Sequence, residues 1–514
     1  MRRMAIRTFA AIDLGSYEVS MKIFEMSKKY GLREINHVRY RLDLGKYAYS
    51  QGKIENRTIQ ELCRVIDGFR EIMKEYQVEE YRACATSAFR AVENPNIILE
   101  QVYRRTGIQI EILSGSEQHF LGYKSIAAIE AGFKKIIQKG TAIVDVGGGN
   151  TQVSLFDKDT LVTTQNLRIG SLRIRERLRE LEKETTHYDR LVEEFIRNEL
   201  LVFQRLYLKE RNIQNVILLG DFLQDIIFRE ELADRIITKE EFNRRYEQIV
   251  HKTADSLAME MNIPSEYATL VVPMVVIYKN IIDILGAEAL WAPGISLADG
   301  IAYDYGEKHK IIKSKHNFEN DILVSARNIG KRYSSGKSHI QGTTSVALAV
   351  FDGLKRVHGL GPRERLLLQI AVLLHDCGKY ISMTNVAECS YHIVMSTEII
   401  GLSQREQKII ANTVLYNQEE FASFEEINRL EGLDRQSYLL VAKLVAILRL
   451  ANAMDRSHYQ KVKTIKAVIK ENELQLIVDS NKDFSLELGL LKDKLDFFEM
   501  IFGIRPVMKR KRKM

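Results

Sequence analysis

The sequence predicts an α/β protein of two lobes facing each other across a cleft, followed by a mostly α-helical domain with a small β addition. Three observations carry this. An apolar strand ending in an acidic residue and glycine occurs twice, closing on Asp13-Leu14-Gly15 and on Asp145-Val146-Gly147, and each time an alternating, strand-like segment follows. Strand-like and helical patterns alternate from there to about Glu307. Beyond residue 320 the pattern is almost wholly helical until Met454.

At 514 residues the chain exceeds a single core, and roughly 150 residues per domain gives about three or four. We assign 1–138 to the first lobe, 139–307 to the second, 320–508 to the helical domain with its C-terminal β segment, and 509–514 to a basic tail. With 45% hydrophobic and 28% charged residues, the composition is that of a globular protein, not a disordered, fibrous or membrane one. The net charge of +7 is mild, and part of it lies in Lys509, Arg510, Lys511, Arg512 and Lys513. That run reads either as a solvated tail or as a holder of polyphosphate or nucleic acid. No aromatic residues interleave with it, so nucleic acid is not the expected partner. Cys63, Cys84, Cys377 and Cys389 show no CxxC spacing, which fits a reducing cytoplasm. No uncharged run approaches the roughly 18 residues of a membrane span, and the N-terminus lacks a cleavable leader pattern. No membrane partner is expected.

Within the first lobe, 8–14 reads as a strand and 19–26 as a second one beyond a tight turn. Ile59, Leu62, Val65, Ile66, Phe69, Ile72, Met73 and Tyr76 recur at three and four, the spacing of a helix over 58–76 with one buried face. Strands follow at 81–85 and 109–113. The second lobe repeats the opening with strands at 141–146 and 151–156, then a charged helical region over 171–211 and a strand at 215–219. Alternation returns at 462–468 and 474–478.

Three glycines, Gly147, Gly148 and Gly149, follow the buried strand that ends at Asp145, with Asn150 after them. Without Cβ atoms the backbone can approach a phosphate and offer it N–H donors. A carboxylate at the strand end suits a hard cation, Mg2+. Asp13, Gly15 and Ser16 offer the same elements on the other lobe. The competing reading, two glycine-rich hairpins whose aspartates cap turns, is weakened because the loops come as a pair.

Ala11-Ile12-Asp13-Leu14-Gly15-Ser16, Ala85-Thr86-Ser87-Ala88-Phe89-Arg90, Ile112-Leu113-Ser114-Gly115 and Val144-Asp145-Val146-Gly147-Gly148-Gly149 stand in the order found in the exopolyphosphatase/guanosine pentaphosphate phosphatase (Ppx/GppA) family. The chain resembles that family over nearly its whole length. The resemblance implies the actin-like (ASKHA, ribonuclease H-like) fold for both lobes and hydrolysis of the terminal phosphoanhydride of polyphosphate or guanosine polyphosphates with Mg2+. It also implies a homodimer and a phosphate contact for Arg90, whose fork of donors suits that role.

Several positions depart from the family pattern. Tyr17 stands where the family has Asn, and Gln152 stands where it has Glu. Gln118 matches the Glu proposed as the base that activates water, and an amide cannot accept that proton at neutral pH. Glu117 is the candidate substitute, although adjacent helical residues point about 100° apart. The family's third loop is replaced by Leu219-Gly220-Asp221-Phe222-Leu223.

The last constellation is His339, His375-Asp376 and Asp455, the order of HD-superfamily metal ligands. Imidazole nitrogen with carboxylate oxygen suits Mn, Fe, Zn or Ni, and the competing reading is a structural hydrogen-bonded His-Asp pair. Lys379 reads equally as a phosphate contact or a surface lysine. The stretch 330–338 resembles a P-loop but has five residues between its glycines where four are required. The expected function is phosphoanhydride hydrolysis in the cleft. The alternative is a weakened cleft that senses polyphosphate or nucleotide, with any hydrolysis carried by the HD-type domain.

Overall fold

The computed structural model describes residues 6–128, 136–158, 160–220, 236–314 and 316–510. It divides into two compact units, Met1–Asn317 and Phe318–Met514.

The first unit contains two sheets of related order. In the first, β1 (Arg7–Leu14), β2 (Glu18–Ser27), β3 (Gly31–Arg41), β4 (Glu80–Ala85) and β5 (Ile110–Ile112) lie in the order β3-β2-β1-β4-β5. β1 pairs antiparallel with β2 and parallel with β4. In the second, β6 (Thr141–Val146), β7 (Thr151–Asp157), β8 (Thr160–Leu167), β9 (Asn215–Leu219) and β11 (Ala289–Trp291) repeat that order, and β10 (Ile236–Thr238) adds an antiparallel edge. The duplication seen in the two Asp-Gly turns is therefore a duplication of topology.

Strand alternation sorts each sheet into two faces. Ala10, Ile12 and Leu14 of β1 join the helices Asn56–Glu75 and Pro95–Thr106 in one core, while Phe9 and Ala11 pack against the helices Gly115–Ala128 and Leu297–Lys308. In the second lobe Ala142, Val144 and Val146 enter a core built with Tyr188–Phe203 and Ser265–Leu285. Helix Leu297–Lys308, most of which we assigned to the second lobe, returns to the first sheet. Gly300 allows that return, since a Cβ there would collide with the Leu121 carbonyl.

The second unit is helical, as its pattern predicts. Its sheet has one strand more than the alternation shows: β12 (Thr464–Lys470) pairs with β13 (Glu473–Asp479), and β14 (Arg505–Arg510) lies parallel to β13. Lys509 and Arg510, expected to open the basic tail, end β14, and 511–514 lie outside the described residues. The P-loop-like stretch joins two helices, Phe318–Arg332 and Lys337–Gly353, with no strand before it. Among the described residues two helices, Ser265–Leu285 and Arg435–Ala453, are long and apolar enough to cross a membrane, but their apolar windows are 72% and 61% buried, as in core helices.

Candidate functional site

The strands deliver one aspartate each to a common cleft. Asp13 follows Phe9 and Ala11 on their face of β1, and Asp145 lies on the face of β6 opposite Val144 and Val146. Asp13, Gly15, Ser16, Asp145, Gly147, Gly148 and Asn150 all line this cleft, together with Leu219 and Gly220. Residues 221–223 of the replaced third loop lie outside the described residues.

The glycine loop is braced from behind. Ser171 N–H donates to Gly147 O (3.2 Å), Arg173 N–H to Gly148 O (2.9 Å) and Arg173 Nε to Gly149 O (2.7 Å). These bonds turn the loop carbonyls toward the helix Ser171–Glu182 and away from an anion. Gly149 packs on Tyr49 rather than lining the cleft. Asn150 Nδ2 donates to Asn166 Oδ1 (2.5 Å).

Sequence reasoning missed three contributions. Ser16 Oγ, Tyr49 Oη and Ser87 Oγ form a hydroxyl triangle with sides of 2.5, 2.8 and 2.8 Å. Ser125 lines the cleft one helical turn beyond Gly122 and two beyond Gln118. Ser296 and Leu297 place the start of helix Leu297–Lys308 against it, where the helix dipole favours anions. The quoted Thr86-Ser87-Ala88 motif carried a signal for Ser87; Ser296 needed the fold.

The proposed catalytic positions look different in three dimensions. Gln118 lines the cleft, and its Oε1 accepts from Arg90 Nη2 (3.1 Å), while Arg90 Nη1 donates to Leu113 O (2.8 Å). The guanidinium expected to contact phosphate thus bonds the Gln118 amide, at the position where the resemblance implies a base. Glu117, the candidate substitute base, is engaged in a helix cap. Its Oε2 accepts from Ser114 N–H (3.0 Å) and its own N–H donates to Ser114 Oγ (3.1 Å), a capping box at the start of Gly115–Ala128. Gln152 Nε2 donates to Gly115 O (2.9 Å). Tyr17 turns out of the cleft, edge-on to Tyr267 at 4.3 Å beside Leu172 and Leu270, and burial raises its phenol above the usual range.

The second unit holds a separate cluster. His339 sits in the first turn of Lys337–Gly353, His375 caps Pro362–Leu374, and Asp376 precedes the turn Cys377–Tyr380. Ser390 Oγ fixes that turn, accepting from Gly378 N–H (2.8 Å) and donating to His375 O (3.1 Å). His375 Nδ1 donates to Val372 O (2.8 Å), while its buried Nε2 has no hydrogen-bond partner among the described residues and lies 3.6 Å from Asp376 Oδ1. Burial pushes the His375 imidazole below its ordinary range. Burial alone would raise the Asp376 carboxyl, but His375 and the Lys379 ammonium hold it below the usual carboxylate range. His339 Nε2 stands 3.9 Å from Asp376 Oδ2.

Asp455, expected as a ligand, is engaged with His339 and Gln460. Asp455 Oδ2 accepts from His339 Nδ1 (2.8 Å) and Oδ1 accepts from Gln460 N–H (2.9 Å), the position of a carboxylate that orients an imidazole. His458, absent from the sequence-based set, joins His339 and Asp376, with ligand atoms within 4.8 Å of one another. This His/Asp/His cluster is able to coordinate a metal ion, and the neutral Nε2 of His375 adds a fitting donor beside it.

A duplicated α/β body with facing aspartate and glycine loops is the body of a phosphate-handling protein. The model of the Ppx/GppA phosphatase family matches residues 23–309, and that of Ppx/GppA phosphatase domain III matches 323–497. The chain belongs to the Ppx/GppA phosphatase family. It is 22% identical over 451 residues to a guanosine-5'-triphosphate,3'-diphosphate pyrophosphatase from Photobacterium profundum, covering 86% of each chain. A protein of the same description from Aeromonas hydrophila is 21% identical over 454 residues, again with 86% of each covered. A solved exopolyphosphatase from Cytophaga hutchinsonii shares the fold, with a TM-score of 0.51 and 17% identity over 60% of this chain and 99% of that one.

Proposed function

We propose that the chain slowly hydrolyses the terminal phosphoanhydride of inorganic polyphosphate or of guanosine penta/tetraphosphate in the cleft between β1 and β6. The names of its relatives, pyrophosphatase and exopolyphosphatase, support this substrate pair. The duplicated sheet order supports the actin-like, ribonuclease H-like assignment of the lobes. Gly147 and Gly148, the Ser16 and Ser87 hydroxyls and the start of helix Leu297–Lys308 would hold the phosphates. Asp13 and Asp145 form an oxygen donor set that fits Mg2+, which would neutralise charge on the transferring group. Positioning and charge stabilisation alone sustain a slow phosphoryl transfer.

The observation that carries the word slowly is the fate of the two candidate bases: Gln118 is bonded to Arg90, and Glu117 is committed to its helix cap. Gln118→Glu puts a carboxylate on Arg90, whose charge keeps it ionised and able to accept a proton from water. Phosphate release from long-chain polyphosphate or guanosine pentaphosphate should rise about 10²-fold or more. Release unchanged by that substitution would contradict the proposal.

A second reading, favoured by the His/Asp/His cluster, is that the cleft senses its ligand and the HD-type unit does the hydrolysis. Mn, Fe, Zn or Ni at that cluster would lower the pKa of a bound water toward neutrality. We place the chain in the cytoplasm as a homodimer; its four free cysteines support a reducing compartment.

A further inference from the structure

We infer that His458 is a metal ligand of the C-terminal cluster and that Lys379 holds the cation's place until a metal arrives, so that the site takes a transition metal in preference to Mg2+. The inference rests on the metal-centre reading above and names the residues that decide its selectivity.

His458 lies on the loop after Arg435–Ala453, and its ring stacks on His339 with centroids 3.8 Å apart and planes 14° from parallel. The loop keeps an unfavourable backbone to put it there: His458 has φ +56° and Gln460 φ +44°, both left-handed conformations in residues that carry a Cβ. His458 is exposed, so its ring can pivot out of the stack and direct a nitrogen at the space between His339 and Asp376. An independent sign of a ligand comes from the other wall. His375 Nε2 is buried beside Asp376 with no hydrogen-bond partner among the described residues, a lone pair that none of their donors answers.

Lys379 supplies the present positive charge. Its Nζ is hydrogen-bonded to Asp376 Oδ2, the same oxygen that lies 3.9 Å from His339 Nε2. A divalent ion reaching the cluster must displace this ammonium. The displaced Lys379 is half exposed and returns to solvent or to an anionic ligand at the metal. Three imidazoles around one carboxylate are a nitrogen-rich set that binds Mn, Fe, Co, Ni or Zn, whereas Mg2+ keeps to oxygen and water.

The test is equilibrium titration of the metal-free full chain with Zn2+ and with Mg2+, and the visible absorption of its Co2+ adduct, for wild type, His339→Ala, His458→Ala and Lys379→Met. Unchanged melting temperatures in EDTA show that the variants fold. His458→Ala should weaken Zn2+ at least about tenfold and alter the Co2+ spectrum, Mg2+ binding staying as in wild type. Lys379→Met should tighten Zn2+. Wild-type Zn2+ affinity and Co2+ spectrum in His458→Ala, with both lost in His339→Ala, would overturn the inference and leave the metal centre standing. Unchanged affinity in Lys379→Met would overturn the place-holding role. A wild-type chain without a Co2+ spectrum would overturn the inference and the metal centre together.

Discussion

Glu117 and Gln118 are adjacent, yet the fold spends them differently. Gln118 faces the cleft and Glu117 faces its own backbone, bonded to Ser114. Glu117→Ala should therefore lower stability by about 0.3–1.5 kcal/mol, read from a denaturant midpoint, with little change in phosphate release. In the sequence Glu117 reads only as a substitute base, and its cap with Ser114, three residues away, was not found there. The pairing of Arg90 with Gln118 was not visible either, because it joins positions 28 residues apart. Asp13, Asp145 and the glycines were legible because strand alternation and a local turn fix them. His458 was not, because only the loop's left-handed turn brings it under His339. Next to Gln118, His119 is fully buried with Nε2 on Ser154 Oγ (2.5 Å), and burial holds its pKa at about 4 against an ordinary 6.5. The unfolded chain then binds a proton that the folded chain refuses. Stability should fall as pH drops from about 6.5 to about 4, by on the order of 3 kcal/mol, and His119→Gln should flatten that slope in pH-dependent unfolding.

At the scale of elements, the strands that carry the loops were legible from their apolar runs. β3 was not, since Gly31–Arg41 is rich in charge and largely outside the core. β14 was hidden because basic residues end it. The return of helix Leu297–Lys308 to the first sheet leaves no local mark except Gly300. A side chain there meets the Leu121 backbone, which a rotamer change cannot relieve. Gly300→Ala should cost about 1–3 kcal/mol in denaturant unfolding and should also disturb the cleft, because Ser296 and Leu297 open that helix. An unaltered midpoint would mean that the two helices part at no cost.

Across the whole molecule, the glycine loops of the cleft and the His/Asp/His cluster belong to different units, and the family models match each unit separately. Buried charge also divides this way. Lys124, Asp304, Glu307 and Arg82 tie the first unit together behind the cleft, while Asp376 and Lys379 pair within the second. On the proposed function, Asp13 and Asp145 carry the chemistry of the cleft and the His/Asp/His cluster has a role of its own. Phosphate release from long-chain polyphosphate, measured for wild type, Asp145→Asn and Asp376→Ala at equal protein and saturating Mg2+, tests this most directly. Asp145→Asn should reduce release by at least about 10²-fold and Asp376→Ala should leave it near wild type; loss of release in Asp376→Ala with release retained in Asp145→Asn would contradict the account.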